Sequence, residues 1–138
     1  QWRPAIEAIR NRPDLVQQSI VPDVLFQAHS APLGLVFADS DQFPQDWRDD
    51  ALVALHGSWN AARPTGYKVV RVPFENGRPT GGYENFVTGF WVDTAEGWSG
   101  GNTAQVIGRP AGLALARDGS LLIADDAANV IWRVRRQP

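Results

Sequence analysis

An internal repeat is the feature that most limits how this chain can fold. The segment Pro-Leu-Gly-Leu-Val-Phe-Ala at residues 32–38 matches Pro-Ala-Gly-Leu-Ala-Leu-Ala at residues 110–116 almost position for position. The match continues in order, because residues 51–54 correspond to 121–124 and residues 67–72 correspond to 129–134. Each matched piece has the length and apolar character of a β-strand. Three strands repeated in the same order are typical of a β-propeller, whose four-stranded blades bury their faces against neighbouring blades.

The rest of the sequence favours an all-β fold built from short antiparallel strands. From residue 33 onward, apolar segments alternate with clusters of Gly, Pro, Asn and Asp. The predicted strands are residues 33–38, 51–56, 67–74, 84–89, 112–116, 120–124 and 130–135. Turn sequences support two boundaries, since Glu-Asn-Gly at 75–77 ends one strand and Arg-Asp-Gly at 117–119 predicts a tight hairpin connection.

These segments amount to one complete blade and three strands of a second. Residues 29–138 are therefore predicted to form propeller blades, with a long loop at residues 91–108 over the end of a blade, in the position of a lid. Residues 1–28 are predicted to form an N-terminal arm, partly helical or irregular, in which Pro13 interrupts any continuous helix. A propeller closes with about four to eight blades. We therefore expect the remaining blades of a parent protein, or another copy of the chain, to cover the open faces.

Composition excludes several classes of function. The net charge of −2 and the scattered arginines leave no basic surface for nucleic acid. The absence of cysteine excludes disulfides and thiolate metal sites. No apolar run reaches the roughly 18 residues that indicate a membrane span, and the first residues lack the hydrophobic core of a signal sequence. Because the chain contains no methionine, even at its start, we expect that a leader was removed or that the chain was cut from a longer protein.

The densest group of polar and aromatic residues is His-Gly-Ser-Trp-Asn at residues 56–60, followed by Arg63. It lies on a loop after an apolar strand, where ligand-binding groups concentrate. His56 can transfer protons near neutral pH, and Asn60 and Arg63 can hold an anionic or carbonyl-rich ligand. A structural role is equally open, in which Trp59 packs, Asn60 caps a turn and His56 bonds a backbone carbonyl.

Two further positions precede the repeated strands. His29 lies just before the first, where it faces either a cleft or solvent. Arg109 directly precedes the second, at the position that Ala31 has in the first copy. Its guanidinium could form a forked pair with a carboxylate ligand, or it could pair with an acid of the chain such as Asp93 or Glu96.

The acidic residues raise the question of a metal site. Asp125 and Asp126 follow the apolar strand 121–124 and could bind calcium with other oxygens, but we favour a turn closed by Asp side chains. Asp-Ser-Asp at 39–41 lacks the glycine and distal glutamate of an EF-hand loop. The histidine spacing supports no zinc site, Ser58 lacks a hydrolase motif, and the glycines at 100 and 101 do not follow a strand and open a helix as a dinucleotide site requires.

Six segments carry a resemblance to a known family. They are Arg-Pro-Asp-Leu-Val at 12–16, Ile-Val-Pro-Asp at 20–23, His-Ser-Ala-Pro-Leu-Gly-Leu at 29–35, His-Gly-Ser-Trp-Asn at 56–60, Arg-Val-Pro-Phe at 71–74 and Gly-Arg-Pro-Ala-Gly-Leu-Ala at 108–114. Together they resemble the C-terminal portion of the sorbosone dehydrogenase branch of the glucose/sorbosone dehydrogenase family. The segment at 56–60 is specific to that branch.

The resemblance implies a six-bladed propeller that binds pyrroloquinoline quinone (PQQ), usually with calcium, and oxidises aldoses or related sugars at the anomeric carbon. It also implies an exported bacterial protein, periplasmic or secreted. His56 stands where family members have a cofactor-contacting lysine, and Arg109 stands at the first of two cofactor-contacting arginines. The second arginine falls at Ala111, so the resemblance is incomplete there, and Arg63 would compensate for the missing charge. A threonine contact of the family falls near Asp125, so the resemblance implies that Asp125 contacts the cofactor.

We further expect Trp59 and Asn60 to shape the quinone pocket and His29 and Trp59 to contact the sugar. The family's general-base histidine and its main calcium-binding segment lie in earlier blades. We therefore expect these residues to bind cofactor within a PQQ-dependent sugar dehydrogenase and to be inactive alone. Two alternatives remain open: a non-catalytic propeller module that binds protein or glycan, and a calcium-dependent lactonase-type propeller, for which the chain supplies few carboxylates.

Overall fold

Two adjacent antiparallel sheets dominate the computed structural model, which describes residues 11–61, 63–93 and 104–137. A short helix, α1 (Pro13–Gln18), precedes them, and Pro13 begins it because a first-turn residue needs no N–H partner. A 3₁₀ turn spans Gln45–Trp47. The strands are β1 (Pro32–Phe37), β2 (Ala51–Leu55), β3 (Lys68–Val72), β4 (Phe74–Glu75), β5 (Arg78–Pro79), β6 (Glu84–Val87), β7 (Trp91–Asp93), β8 (Ala104–Val106), β9 (Pro110–Leu115), β10 (Leu121–Asp125) and β11 (Val130–Val134). The predicted all-β class is confirmed.

The two main sheets correspond to the two copies of the repeat. Strands β1, β2, β3 and β6 form blade 1 in that order, and β9, β10 and β11 form blade 2, with β10 in the middle. The repeated strands β1 and β9 are edge strands of their sheets and pack against each other. They are therefore the inner strands of adjacent blades, as the repeat predicts. All seven predicted strands are present, with ends within two residues of the predicted ones.

The inner strands approach most closely at Gly34. A Cβ at this position would lie 2.4 Å from the carbonyl oxygen of Ala111 and 3.0 Å from the amide nitrogen of Leu113. Because both are backbone atoms, the strands would have to separate to admit any side chain. The glycine of the first repeat copy therefore sets the distance between the blades.

An apolar layer between the blades forms the main core. Its buried members are Ala38, Phe43, Leu52, Tyr67, Val69, Phe90, Leu121 and Ile123. Trp47 packs at its edge, with its ring centroid 5.2 Å from that of Phe86 and 6.3 Å from that of Phe43. Burial of this layer holds the two blades together and fixes the strand ends that carry the polar loops.

The other face of blade 1 is apolar but open. Val36 packs in the interblade core, so its neighbours Leu35 and Phe37 point to the opposite face, where they are largely exposed. Their repeat equivalents in blade 2, Leu113 and Leu115, pack against the interblade core. The exposed face of blade 1 therefore matches a face that blade 2 buries, and its covering by further blades or another copy remains a prediction.

The prediction of a continuous loop over residues 91–108 is wrong at both ends, where the structure has short strands. Strand β7 pairs with β8 in an antiparallel ladder, and a second small ladder joins β4 to β5. Strands of two or three residues are too short to show the period-two alternation by which the longer strands are recognised. Residues 94–103 lie outside the described part, so the lid remains a prediction.

The N-terminal arm is described from residue 11 onward. Helix α1 agrees with a partly helical arm, while residues 1–10 lie outside the described part. After α1, Val24 and Phe26 pack against blade 1 on the face opposite blade 2. No helix in the described ranges is long and apolar enough to cross a bilayer.

Candidate functional site

The ends of the inner strands of both blades meet at one edge of the structure. His56 directly follows β2, and its N–H donates to the carbonyl oxygen of Ala31 at 2.9 Å, beside the start of β1. In blade 2, Pro110 at the start of β9 pairs with Asp125 at the end of β10. Arg109 therefore lies at the matching end of the second blade. The structure brings two predicted residues together, since Arg109 Nε donates to the carbonyl oxygen of His56 at 3.2 Å.

The guanidinium of Arg109 binds the loop that follows His56. Its Nη2 donates to the carbonyl oxygen of Gly57 at 2.6 Å and lies 3.5 Å from that of Ser58. Its central carbon lies 5.4 Å from the centroid of the Tyr67 ring, a cation–π distance. One arginine of blade 2 thus holds the polar loop of blade 1 in place.

The positive charge of Arg109 is bound to carbonyl oxygens rather than to an acid. No ion pair to this side chain forms within residues 11–61, 63–93 and 104–137. The two acids suggested as its partners are untested, because Glu96 and the side chain of Asp93 lie outside the described part. A half-buried guanidinium that bonds only neutral groups favours an anion nearby.

Tyr67 supports the same loop and was not identified from the sequence. Its hydroxyl donates to the carbonyl oxygen of Ser58, and its buried ring lies where a Cβ on Gly57 would be, 2.6 Å from the ring atoms. Tyr67 adopts a left-handed backbone with φ of 53°, and its repeat equivalent Asn129 does the same with φ of 57°. The repeat therefore extends to backbone conformation. The signal available in the sequence was the correspondence of Tyr67 with Asn129, a residue type that often adopts this conformation.

His56 pairs across the blades with Asp126. The imidazole Nε2 lies 2.8 Å from Oδ1 and 3.1 Å from Oδ2 of Asp126. A carboxylate only accepts, so Nε2 is the protonated ring nitrogen in this contact. The imidazole is mostly buried and the carboxylate is exposed. Asp126 occupies the repeat position of His56, so the same point of two neighbouring blades supplies both partners.

Asp125 has an internal structural role. Both of its oxygens accept hydrogen bonds, and the four donors are Trp132 Nε1 at 2.9 Å and the N–H groups of Arg109, Ala127 and Ala128 at 2.8, 3.2 and 2.9 Å. Burial raises the pKa of Asp125, but these bonds outweigh it and hold the pKa below its ordinary value. A Cβ on Gly108 would lie 1.9 Å from Oδ2, so glycine is required there. The favoured reading of a turn closed by Asp side chains is confirmed, and these bonds give no support to the predicted cofactor contact of Asp125.

The remaining predicted residues lie on the exposed rim of the loop. Trp59 is 85% exposed and does not pack against the described residues of this chain, and Asn60 and Arg63 are exposed beside it. His29 is also exposed, with φ of 66°, in a turn that bonds the loop through the carbonyl oxygen of Ala28, 3.0 Å from Thr65 Oγ1. The rim thus presents an aromatic ring and polar side chains to solvent.

A metal site is not formed by the described residues. Within residues 11–61, 63–93 and 104–137, no group of three or more acidic or histidine side chains is arranged to hold an ion. The calcium that the resemblance implies therefore remains a prediction about residues elsewhere.

Comparison with known proteins identifies relatives of the whole described region. A family model described as TrAA12-like matches residues 11–137. A PQQ-dependent pyranose dehydrogenase of Coprinopsis cinerea is 32% identical over 136 residues, which cover 86% of this chain and 17% of that protein. An uncharacterized protein of Borreliella burgdorferi is 34% identical over 108 residues, which cover 78% of this chain and 26% of that protein. The chain thus spans about a quarter or less of the length of these relatives.

Two solved structures share the fold. The holo form of the pyranose dehydrogenase PQQ domain from Coprinopsis cinerea aligns with a TM-score of 0.65 and 28% identity, over 88% of this chain and 30% of that one. The calcium structure of Carbohydrate-Active Enzymes Family AA12 from Trichoderma reesei aligns with a TM-score of 0.62 and 25% identity, over 86% of this chain and 27% of that one.

Proposed function

We propose, since this chain belongs to the TrAA12-like family, that it is the part of a PQQ-dependent sugar oxidoreductase that helps to bind the quinone. The observation that carries the proposal is the contact between Arg109 of blade 2 and the loop after His56 of blade 1. It supports the proposal because a guanidinium and an imidazole lie at adjoining strand ends of the two blades. The similarity to a PQQ-dependent pyranose dehydrogenase supports the same role.

The chemistry of the side chains at this edge fits PQQ. The cofactor is a flat aromatic tricarboxylate with two adjacent carbonyl groups, so its site needs positive charge and an apolar surface. Arg109 supplies a charge that no described acid neutralises, and exposed Arg63 supplies a second. Trp59 offers an uncovered ring for stacking. Bound PQQ would accept the two electrons released when a sugar is oxidised at its anomeric carbon.

Each residue then has a distinct task. Arg109 keeps the loop in place through its carbonyl bonds and adds attraction for the anion. Asp126 fixes the direction of the His56 ring. In the imidazolium form the Nδ1–H, which has no partner among the described residues, can donate to a quinone oxygen or carboxylate. Asn60 and Arg63 contact the polar edge of the cofactor, and His29 with Trp59 faces the sugar. None of these residues is assigned the removal of the substrate proton, so activity requires other parts of the parent protein.

The finer assignments are part of the same proposal. The sorbosone branch is suggested by the segment at residues 56–60, whereas the named relative supports a pyranose as the substrate class. Calcium and export to the periplasm or the cell exterior rest on the family resemblance. The expected partners are the sugar and the remaining blades of the parent.

Calorimetric titration of PQQ into the 138-residue chain tests the proposal directly. We expect Arg109→Gln and Arg63→Gln each to weaken binding by about tenfold, since a hydrogen bond to a charged group contributes about 1.5–3 kcal/mol. Arg48→Gln is the matched control, because Arg48 is an exposed arginine that pairs with Asp41 before β2. Equal affinity in all variants would instead favour the non-catalytic module. Sugar-dependent dye reduction by the full-length parent, supplied with PQQ and calcium, tests the enzymatic part.

A further inference from the structure

A polar pocket lies beside the candidate site, on the outer half of blade 1. Leu55, the residue before His56, pairs with Lys68 at the start of β3, and Val69 pairs with Val87 at the end of β6. These strand ends are therefore at the same edge of the sheet as His56. A cavity of about 240 Å³ opens there. Blade 1 has four strands, so β6, which borders the cavity, is the outermost strand of a complete blade.

The pocket adjoins the two segments that carry the proposed sugar contacts. Gln27 lines it and precedes His29 by two residues. Thr65 also lines it and is bonded to the loop that carries Trp59, because the N–H of Ser58 donates to the carbonyl oxygen of Thr65 at 2.9 Å. One wall of the pocket is therefore built from the same turn and the same loop as the candidate site.

Trp91 supplies an aromatic wall. It begins β7 and packs partly against the interblade core, so its indole is held in place, and it also lines the pocket. Gly66 and Gly89 line the pocket without side chains. A Cβ on Gly66 would lie 2.7 Å from the carbonyl oxygen of Ser30. A fixed flat ring beside open space is a surface on which the C–H face of a sugar ring can stack.

Polar side chains around this space can hold sugar hydroxyls. Lys68 Nζ donates to Asn85 Oδ1 at 2.7 Å, which places an ammonium group and an amide side by side. The amide of Gln27 and the hydroxyl of Thr88 also line the pocket, and both residues are exposed. Among the described residues, no acid lines the pocket. Hydrogen-bonding groups beside an aromatic ring, without a carboxylate, suit an uncharged polyhydroxylated ring better than a metal ion or a cationic ligand.

We propose that this pocket is a subsite for one pyranose ring of an oligosaccharide, stacked on Trp91 and held by Lys68 and Asn85. Its volume is below that of a drug-sized site, which fits a single ring. That this ring is part of the substrate rests on the proposed function. Oxidation at the anomeric carbon needs a free anomeric hydroxyl, so the reacting ring is the reducing end. The pocket then holds a ring farther along the chain, and the preferred substrate class is a reducing oligosaccharide.

Cellopentaose and maltopentaose are the probes, with glucose as the monosaccharide. Each is titrated into the 138-residue chain without PQQ and followed by two-dimensional proton–nitrogen NMR. We expect at least one pentasaccharide to bind about tenfold more tightly than glucose, because a ring in the pocket adds hydrogen bonds and a stacked face. The signals that shift should include the indole N–H of Trp91 and the amides of residues 65–68 and 87–89.

Substitutions of exposed pocket residues test the contacts without disturbing the core. Gln27→Ala and Asn85→Ala should each weaken pentasaccharide binding by about threefold to tenfold. Gln17→Ala is the matched control, because Gln17 is an exposed glutamine of α1 that does not line the pocket. In the full-length parent, Gln27→Ala should lower kcat/KM for the pentasaccharide about threefold more than for glucose.

The possible results separate this proposal from the proposed function. It is overturned if none of the three sugars shifts the pocket signals, or if glucose and both pentasaccharides bind equally. An equal loss of kcat/KM for both sugars would also overturn it. Shifts at the pocket in a chain whose Arg109 and Arg63 variants bind PQQ as the original does would support the sugar site. In that case the proposed function fails, and the pocket binds a glycan that is not a substrate.

Discussion

Replacement of Asp125 by Asn should lower the free energy of unfolding of the chain strongly and make its stability less dependent on pH in acid. In the native chain, Oδ1 accepts three backbone N–H groups and Oδ2 accepts the indole N–H of Trp132. The Asn amide can keep the three backbone donors only by turning its NH₂ group toward the indole. A buried N–H then faces another donor, which costs about 1–3 kcal/mol. The other three bonds lose their charge assistance and about half of their strength. Together these effects lower the free energy of unfolding by about 3 kcal/mol.

The pH dependence of the stability follows from the direction in which folding shifts the pKa of Asp125. An unfolded Asp has a pKa of about 3.9, and the folded chain holds the pKa of Asp125 lower. Unfolding in acid is therefore accompanied by proton uptake at this residue. Its stabilisation is complete above about pH 4 and is lost as the pH falls through the folded pKa. Asn does not titrate, so the stability difference between the two proteins should shrink below about pH 4.

Urea unfolding followed by far-ultraviolet circular dichroism measures this difference. With a slope of about 2 kcal/mol per molar, a loss of 3 kcal/mol lowers the midpoint by about 1.5 M at pH 7. All other carboxyl groups titrate in both proteins, so their contributions cancel when the midpoints are subtracted. A midpoint change below about 0.3 M at pH 7 would refute the assigned hydrogen bonds. A difference that stays constant down to pH 3 would show that the buried group is not the charged acceptor described above.

Two other substitutions test the blade geometry and a turn. Gly34→Ala should lower the free energy of unfolding by about 2–3 kcal/mol, because its Cβ would lie 2.4 Å from the carbonyl oxygen of Ala111. The control in the same urea titration is Gly82→Ala, because a Cβ on Gly82 would meet nothing within 4 Å. The hydrogen bond from Ser120 lowers the pKa of Asp118 to about 2, so its stabilisation is present above about pH 4 and is lost as the pH falls toward 2. Asp118→Asn should therefore flatten the acid side of a melting-temperature profile, and an unchanged profile would contradict that bond.

The fold was predictable where the chain repeats itself. Strands β1 and β9 carry the same Pro-x-Gly-Leu pattern, and their inner positions follow from the order in which the matched strands recur. The small ladders β4–β5 and β7–β8 were not predicted, because strands of two or three residues have no alternation to detect. Local turn chemistry did place the Glu-Asn-Gly turn correctly, since Asn76 and Gly77 both adopt positive φ.

The site was predictable only in part. The meeting of His56 and Arg109 follows from their positions at the ends of repeated strands. The acceptors of the Arg109 guanidinium are backbone carbonyls, which every residue possesses, so no sequence pattern identifies them. Asp126 could have been recognised as the partner of His56, because the two residues occupy equivalent positions of neighbouring blades. Considered without the repeat, the two adjacent acids Asp125 and Asp126 suggest a calcium site instead.

The left-handed residues Tyr67 and Asn129 show that one backbone shape serves two different side chains. Asparagine tolerates this backbone shape well, whereas most side chains are disfavoured in it by roughly 1–2 kcal/mol. One copy of the repeat thus has the residue that suits this backbone, and the other has a phenol whose hydroxyl donates to the carbonyl of Ser58. A chain in which the two residues are exchanged would separate the backbone shape that both copies share from the loop contact that only one of them makes.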